Sequence, residues 1–294
     1  MRTSSRAAAI GLEGLSGRSF GPFTVEASTD RVAAFVAATG EDPRRWSRSA
    51  PPFFANVALF AAAPAFLEDL TVKPFTRSLI HSEQHFAWSR SLRVGEIVAV
   101  SGTVSSVRVR GPLNLVTFDV VATGDSGLWL SGSSIFLLAA EAAGSSDDRL
   151  EPPVGERPPF GGDPAPAEFP GPGEPLPHYR CGASRADLVR YAGACGDWNP
   201  IHWDHDSARA AGLSGTIVHG LLMAAWMANS VCRLVPGEDP LREARVRFRN
   251  PLRPAVAAVV TGEVATDDGH SPVIDLTLES GGDRLATGRI RVTP

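Results

Sequence analysis

The sequence predicts an α+β protein made of two related halves, each with a long central helix wrapped by an antiparallel β-sheet. Three observations support this prediction: a proline-rich segment in the middle of the chain, a short helix that recurs at a constant offset, and a strand pattern that recurs after it. The chain has 294 residues, a length that fits about two domains of typical size. Its apolar content of 43% is sufficient for a packed core.

A proline-rich segment separates the two halves. The stretch 140–177 holds ten of the 24 prolines, together with Gly, Ser, Asp and Glu, and has almost no periodic apolar pattern. This composition is typical of a semi-extended linker. We therefore expect an N-terminal repeat over 1–143, a linker over 144–177 and a C-terminal repeat over 178–294.

A short amphipathic helix recurs at an offset of 156 residues. Segment 28–40 reads STDRVAAFVAATG and segment 184–196 reads SRADLVRYAGACG. Both begin with a serine that can N-cap a helix, and both end with a glycine suited to the C′ position. Apolar residues recur at i, i+3 and i+4 in each, which predicts a helix with one buried face. Ser184 and Asp187 also have the spacing of a capping box.

A strand-like pattern recurs at an offset of 160 residues. LRVGEIVAVSGTV at 92–104 corresponds to LRPAVAAVVTGEV at 252–264, and an alternating segment precedes each. The apolar stretches 53–67 and 221–234 lie before these strands and are predicted to be core helices. A helix followed by an antiparallel meander favours a sheet curled around that helix. Two copies favour a pseudo-dimer within one chain; coincidence is the alternative, but caps, periodicity and element order all agree.

Polar residues with catalytic potential occur in only one of the two halves. After the glycine that ends the short helix, the second half continues DWNPIHWDH at 197–205, whereas the first half continues EDPRRW at 41–46. At the offset of 156, His202 corresponds to Trp46. The second half therefore has an acid, an amide and an imidazole within six residues, and the first half does not.

These polar residues are expected to lie on one tight loop. Gly196 ends the helix and Pro200 cannot extend it, so Asp197, Asn199 and His202 are able to converge. A carboxylate and an imidazole on one loop can hold a water between them and exchange protons with it, which is general acid–base chemistry. Taken alone, Asp197 would more simply be a helix-end residue in a turn; its neighbours favour catalysis.

A glycine at the start of the second central helix offers a partner for developing negative charge. The segment TIVHG at 216–220 leads directly into the apolar helix, which would leave the Gly220 N–H unpaired at the positive end of the helix dipole. Such a donor can bind a carbonyl oxygen that becomes an oxyanion, an effect commonly worth about 3–4 kcal/mol. We expect His219 to shape this turn rather than to carry a proton.

The sequence at these residues resembles the hydratase-2 motif of MaoC-like (R)-specific enoyl-CoA hydratases and dehydratases. The resemblance rests on YAGACGDWNPIHWD at 191–204, on residues 208–212 and on IVHGL at 217–221. It implies a hotdog fold for the second half and a degenerate hotdog repeat for the first, hence a single-chain double hotdog. Many family members have Gly-Asp in a turn where this chain has Ala255 and Val256. This difference affects the catalytic assignment little.

The resemblance also implies a reaction, the reversible addition of water to a trans-2-enoyl thioester to give a (3R)-3-hydroxyacyl thioester. Asp197 and His202 would hold and activate the water, Asn199 would help to orient them, and the Gly220 N–H would polarise the thioester carbonyl. No cofactor is expected beyond the CoA or carrier-protein phosphopantetheine that forms part of the substrate. The length and branching of the acyl group and the physiological direction stay open.

Two other functions and a metal site are the alternatives. The chain could be a non-catalytic acyl-thioester binder or a subunit of a dehydratase complex, or it could be a thioesterase on the same fold. His202, Asp204 and His205 could also form half of a metal site. Because no fourth ligand is evident, we expect no metal; Asp204 is expected to cap a short helix instead.

Three arginines alternate with apolar residues on a predicted strand. Arg245, Arg247 and Arg249 would share one strand face. That face is either solvated or contacts the phosphates of CoA or of a carrier-protein arm, which suit the guanidinium fork. His81 and His85, on a strand of the first half, are expected to be structural or surface residues.

Pro64 lies inside the first predicted core helix. Proline removes a backbone hydrogen bond and is expected to break or kink a helix. We hypothesise that a shortened helix leaves room there for a bulky acyl chain in the half that lacks the acid and imidazole.

Composition sets the remaining expectations. The net charge of −4 argues against a general nucleic-acid binder, and no apolar run is long enough to span a membrane. The three cysteines share no CxxC spacing, so neither a disulfide framework nor a zinc ribbon is expected. Lys73 is the only lysine among 28 basic residues, which is typical of GC-rich, bacterial coding. We expect a cytoplasmic protein whose pseudo-dimer needs no partner, with further homodimerisation left open.

Overall fold

The computed structural model describes residues 12–76, 78–140, 155–265 and 271–293. The helices are α1 (Thr29–Thr39), α2 (Ala55–Leu67), α3 (Arg185–Cys195), α4 (His205–Ala210) and α5 (Gly220–Cys232). The strands are β1 (Ser19–Glu26), β2 (Ser78–Trp88), β3 (Ile97–Arg110), β4 (Leu113–Gly124), β5 (Gly127–Ala139), β6 (Gly161–Gly162), β7 (Tyr179–Cys181), β8 (Leu241–Phe248), β9 (Ala258–Val264), β10 (Val273–Ser280) and β11 (Asp283–Val292).

One continuous sheet joins the two halves. Its strand order is β1-β3-β4-β5-β2-β8-β11-β10-β9-β7-β6, so β2 of the first half pairs with β8 of the second. In this antiparallel pair His85 lies opposite Arg245, its own equivalent at the offset of 160, and Gln84 lies opposite Val246. This pairing is the one expected of two copies related by a twofold axis, because the axis places each strand beside its own counterpart. The predicted arrangement of two α+β repeats is confirmed.

The two short helices begin and end as predicted. Ser28 accepts a hydrogen bond from a backbone N–H of the first turn of α1. In α3, Ser184 and Asp187 form the complete capping box. Gly40 and Gly196, which follow the two helices, have left-handed backbones with φ of 75° and 91°. Glycine adopts this conformation without the steric cost that other residues incur, so both helices stop at a defined residue.

Pro64 does not shorten the first central helix, and that expectation is wrong. α2 continues to Leu67, and at 13 residues it is as long as α5. Pro64 lies in the last turn, where the proline nitrogen cannot donate to the carbonyl of Phe60. The turn still closes, since the Glu68 N–H donates to the Pro64 carbonyl at 2.9 Å.

The two central helices form the core, as predicted. Every residue of α5 from Leu221 to Cys232 is buried, and on α2 the Phe66 ring stacks on Phe118 with centroids 5.1 Å apart. Fully burying one such large apolar side chain contributes about 1.5–3 kcal/mol relative to leaving it exposed. No helix among the described residues is long and apolar enough to cross a membrane.

The start of α5 lies at the junction between the halves. A Cβ placed on Gly220 would lie 3.4 Å from the ring of Phe248, at the end of β8. Because β8 pairs with β2, the N-terminus of α5 is held beside a strand of the other repeat. Residues of both halves can therefore contribute to a site at this helix end.

The described part of the proline-rich segment, 155–177, packs against the repeats. Gly161–Gly162 pairs with β7. The Phe160 ring lies edge-on to Tyr179 and to Trp226, with centroid distances of 5.6 and 6.2 Å. It also covers Gly40, where an added Cβ would lie 2.5 Å from the ring. Phe160 thus occupies the space beside the end of α1.

Candidate active site

The acid and the imidazole predicted from the sequence converge beyond the end of α3. The short turn Pro200–His202 folds back toward Asp197, and Nε2 of His202 lies 3.9 Å from Oδ2 of Asp197. The two side chains are only 7% and 13% exposed, respectively. A separation of 3.9 Å exceeds a direct hydrogen bond and suits one water molecule that bonds to both atoms.

A backbone contact fixes the position of the proton on neutral His202. Its Nδ1 lies 2.9 Å from the carbonyl oxygen of Ile217. A carbonyl can only accept, so Nδ1 carries the hydrogen and Nε2 presents a lone pair toward Asp197. Burial lowers the pKa of His202, against the charge of Asp197 and the Ile217 hydrogen bond, which raise it. His202 is therefore a neutral proton acceptor near pH 7.

Asp197 is held by its backbone neighbours. The Asn199 N–H donates to Oδ1 of Asp197 at 3.3 Å, so Oδ2 faces His202. Burial raises the pKa of Asp197, while the His202 charge and the Asn199 hydrogen bond lower it. The Asn199 side chain caps the following turn, accepting from the Ile201 N–H at 3.4 Å. Asn199 thus orients the pair through its main chain and through the shape of the turn.

His219 packs directly against the pair. Its ring stacks on His202 with centroids 3.7 Å apart and planes inclined by 24°. Its Nε2 lies 3.3 Å from the carbonyl oxygen of Asp197 and donates to it. Burial lowers the pKa of His219 well below its ordinary value, so two neutral imidazoles lie face to face. His219 is also the residue before α5, with an extended backbone at φ −57° and ψ 132°.

Gly220 supplies the backbone donor that the sequence predicted. It is the first residue of α5, and the side chain of His219 does not cap this helix. The first N–H groups of a helix have no acceptor within it, and they lie at the positive end of the dipole. Gly220 lines the same cavity as Asp197 and His202, so its N–H is available to a ligand at the pair.

Two cavities meet at Asp197. The first, of about 350 Å³, contains Gly220 and His202 and is walled on one side by residues 78–81 of β2, from the other half. The second, of about 820 Å³, is lined by the α2 residues Phe60, Pro64 and Leu67. Both are lined by Asp197, Asn199 and Ile201. The space expected beside Pro64 exists, although it does not come from a shortened helix.

His81 was missed as a site residue by sequence reasoning. It lies on β2 in the first half but lines the first cavity, with its ring 4.8 Å from Phe136 and 5.2 Å from Phe248 between centroids. Burial lowers its pKa to about 4, so the imidazole is neutral. No local pattern could have placed it there, because the contact depends on the pairing of β2 with β8.

The three predicted arginines separate into two groups. Arg245 and Arg247 each donate from Nε to Glu83 of β2 at 2.6 Å. Burial would raise the pKa of Glu83, but the hydrogen bonds and charges of these two arginines lower it overall. Their ion pairs bridge β2 and β8. Arg249 lines the first cavity instead, and it is the one of the three that faces a ligand site.

A metal ion fits this site poorly. Donor atoms of Asp197, His202 and His219 lie within 4.8 Å of one another. An imidazole binds a cation in its own ring plane, and the two ring planes here are stacked 3.7 Å apart at an angle of only 24°, so the two imidazoles do not converge on one cation. Asp204 is not a ligand candidate either, because its carboxylate caps α4 and accepts from Asp206 N at 3.0 Å and Ser207 Oγ at 2.9 Å.

The equivalent position in the first half holds Glu41 in place of Asp197. Trp46 occupies the position of His202, and its interaction with Glu41 lowers the pKa of that acid. In the side-chain orientation that gives both the amide oxygen and the amide nitrogen of Asn229 hydrogen-bond partners, the nitrogen donates to Oε1 of Glu41 at 3.0 Å. Burial raises the pKa of Glu41 from 4.5 to about 8, partly offset by Trp46, Arg45 and Thr39. Glu41 faces these protein groups and lines neither of the two cavities.

Glu41→Gln is expected to stabilise the protein in a pH-dependent way. The unfolded chain releases the Glu41 proton above pH 4.5, whereas the folded chain holds it until about pH 8. The free energy of unfolding of the wild type is therefore highest below pH 4.5, and it falls progressively as the pH rises toward 8. The Tm of the variant should exceed that of the wild type by about 5 °C at pH 8 and converge with it near pH 4.5. Equal Tm differences at pH 4.5 and at pH 8 would contradict the raised pKa of Glu41.

Two family models match the two halves. The MaoC like domain matches residues 169–278, and the FAS1-like dehydratase domain region matches residues 15–128. The chain is 28% identical over 253 residues to 3-hydroxyacyl-thioester dehydratase X of Mycobacterium tuberculosis, covering 85% of this chain and 79% of that protein. It is 35% identical over 69 residues to the mitochondrial 3-hydroxyacyl-[acyl-carrier-protein] dehydratase of Arabidopsis thaliana, 24% of this chain and 41% of that protein.

Solved structures share the whole fold. A MaoC-like dehydratase superposes with a TM-score of 0.77 at 20% identity, covering 96% of this chain and 99% of that one. A Mycobacterium tuberculosis protein described as a double hotdog fold superposes with a TM-score of 0.64 at 15% identity, covering 94% and 96%. At these identities the likeness establishes the arrangement of helices and strands in both halves.

Proposed function

Because the chain belongs to the MaoC-like dehydratase family, with a double hotdog fold, we propose that it catalyses reversible hydration of trans-2-enoyl thioesters to (3R)-3-hydroxyacyl thioesters. One observation carries the proposal: the buried Asp197 and His202 pair, 3.9 Å apart, shares a cavity with the unpaired N–H of Gly220. A water activator and an oxyanion donor are the two components that this reaction requires.

The geometry supports a simple proton balance. A water between the pair donates hydrogen bonds to Oδ2 of Asp197 and to the Nε2 lone pair of His202. When its oxygen bonds to Cβ of the enoyl group, the C=C electrons move to Cα and the carbonyl oxygen, whose negative charge the Gly220 N–H stabilises. One water proton passes to the pair and one proton passes from the pair to Cα on the same face, so the pair ends unchanged.

The two cavities suggest how the substrate lies. The thioester carbonyl must reach Gly220, which lines only the first cavity, and Cβ must reach the pair. The acyl chain beyond Cβ then continues into the second cavity, against Phe60 and Leu67 of α2. The thiol arm leaves past Arg249, which can contact its phosphates. In this arrangement the first half binds the acyl chain and the second half performs the chemistry.

Ala210→Trp is expected to shorten the acyl chains that the protein accepts. Ala210 lines the second cavity, lies on an exposed part of α4, and does not line the first cavity. An indole there would fill space without touching the carbonyl site. We expect kcat/KM for a long-chain enoyl-CoA to fall at least about tenfold, while that for crotonyl-CoA, the internal control, stays within about twofold. An equal loss for both substrates would contradict the assignment of the second cavity.

A panel of enoyl-CoAs of varied length and branching tests the proposed reaction. Loss of the enoyl absorbance with no release of free thiol, monitored with DTNB, is the expected result. Thiol release without loss of the enoyl absorbance would indicate a thioesterase. Binding of acyl-CoA without either change would indicate a non-catalytic binder or a subunit of a larger dehydratase.

A further inference from the structure

A buried amide of the first half reaches the pair of the second. Asn56, in the first turn of α2, is fully buried. Its Nδ2 donates to the hydroxyl of Tyr191 at 2.9 Å and to the carbonyl of Leu221 at 3.3 Å. Since the Leu221 carbonyl can only accept, the amide nitrogen must face this way, and the Tyr191 oxygen accepts from it.

Tyr191 is a neighbour on α3 of Cys195, which bonds to the backbone of Asp197. Tyr191 lies four residues before Cys195 on α3, and the interaction of its hydroxyl with the Cys195 thiol lowers the pKa of that thiol against the effect of burial. The Sγ of Cys195 accepts from the Asp197 N–H at 3.4 Å. Burial raises the pKa values of the Tyr191 phenol and the Cys195 thiol, so both groups keep their protons.

The ring of Tyr191 also supports the imidazole side of the pair. It lies edge-on to His219, with centroids 4.8 Å apart, and His219 stacks on His202. His219 in turn donates to the carbonyl oxygen of Asp197. The main chain of Asp197 is therefore held at its N–H by Cys195 and at its C=O by His219. The Tyr191 ring packs on His219, and Tyr191 lies one helical turn before Cys195.

We propose that Asn56 is a positioning residue for the Asp197–His202 pair, supplied by the half that lacks a pair of its own. The inference rests on the proposed function. Asn56 acts through Tyr191: its hydrogen bond holds the Tyr191 side chain against the His219 ring. His219 and Cys195 in turn hold the Asp197 main chain at the distance at which a water bridges the pair. Errors of about 1 Å in such geometry can cost about 100-fold in rate.

Asn229 provides a matched control. It is a second buried asparagine on a central helix, and its amide also crosses between the halves. The Asn56 amide reaches from the first half to the second, whereas the Asn229 amide reaches from α5 of the second half to Glu41 of the first. Glu41 has no imidazole partner. Replacing Asn229 removes a buried cross-repeat amide without touching the contacts that lead from Asn56 through Tyr191 and His219 to Asp197.

The test compares Asn56→Leu, Tyr191→Phe, the double variant and Asn229→Leu in the full chain. Tyr191→Phe removes only the hydroxyl and keeps the ring on His219. We expect Asn56→Leu and Tyr191→Phe each to lower kcat about 10- to 100-fold with KM within about twofold, because the substrate contacts are unchanged. The double variant should lose no more than the worse single variant, since both break one series of contacts. Asn229→Leu should retain wild-type kcat.

A second measurement does not require activity. In the free protein, the amide resonance of Asp197 should shift and its hydrogen exchange should accelerate in Asn56→Leu and in Tyr191→Phe, but not in Asn229→Leu. If the wild type hydrates no enoyl thioester, the proposed function fails while this measurement still decides the inference. Wild-type kcat in folded Asn56→Leu or Tyr191→Phe, multiplicative losses in the double variant, an equal loss in Asn229→Leu, or an unchanged Asp197 amide would each overturn it.

Discussion

Asp197→Asn and His202→Ala are each expected to lower kcat/KM for enoyl-CoA hydration by about 10²- to 10⁴-fold, the usual contribution of a positioned acid or base. Asparagine keeps the shape of Asp197, and the backbone contacts of this residue to Cys195 and His219 do not involve its carboxylate. The substitution therefore removes a proton acceptor and little else. His202→Ala removes the Nε2 lone pair that lies 3.9 Å from Oδ2 of Asp197.

Glu41→Gln is the matched control for Asp197→Asn, because the two acids occupy equivalent positions in the two halves. The control should keep wild-type kcat/KM, since Glu41 faces Trp46 and Asn229 rather than an imidazole. The measurement is the initial rate of loss of the enoyl absorbance, per folded molecule. Full activity in both Asp197→Asn and His202→Ala would exclude the proposed mechanism.

Gly220→Pro is expected to lower kcat about 10²- to 10³-fold, because it removes the N–H that stabilises the oxyanion. The helix should tolerate the change. Proline is favoured at the first position of a helix, and His219 already has the extended backbone, at φ −57° and ψ 132°, that a residue before proline prefers. The loss should appear in kcat, since the hydrogen bond strengthens as charge develops on the oxygen.

Gly220→Ala is the paired control, because alanine keeps the N–H. Its Cβ would lie 3.4 Å from the Phe248 ring, at the close end of ordinary contact. We expect less than about a tenfold loss from such an adjustment, which leaves the donor in place. If Gly220→Ala and Gly220→Pro lose activity equally, the effect is steric and the oxyanion role of Gly220 is wrong.

The local features of the site could be predicted because they depend on neighbours in sequence. Gly196 stops α3 in a left-handed conformation and Pro200 begins the next turn, so Asp197 and His202 must lie within one short loop. The start of α5 at Gly220 follows from the apolar run that begins there. Hydrogen-bonding rules for helix ends and turns sufficed for each of these predictions.

The features that were missed depend on contacts between the two halves. His81 and Asn56 reach the site only because β2 pairs with β8 and α2 packs beside α3. The expected effect of Pro64 was also wrong. Proline removes one backbone hydrogen bond from the last turn of α2, but tertiary packing keeps that turn helical. Periodicity within one repeat carries no information about which side chains of the other repeat will face it.

The first half differs from the second by filling its equivalent space with protein. Phe160 covers Gly40, whereas the matching Gly196 opens onto the second cavity. Glu41 lies among Trp46, Arg45 and Asn229. Arg45 itself donates to the backbone carbonyls that follow α5, at 2.7 Å to Val235 and 2.9 Å to Gly237. The first repeat thus packs against the second and forms part of the wall of the site there.

The stereochemistry of the product tests the central claim most directly. Wild-type protein is incubated with a trans-2-enoyl-CoA, and the 3-hydroxyacyl product is separated by chiral chromatography, with the Asp197→Asn variant run in parallel. We expect the (3R) product from the wild type and almost none from the variant. A (3S) product, a free acid with released thiol, or equal product from both proteins would contradict it.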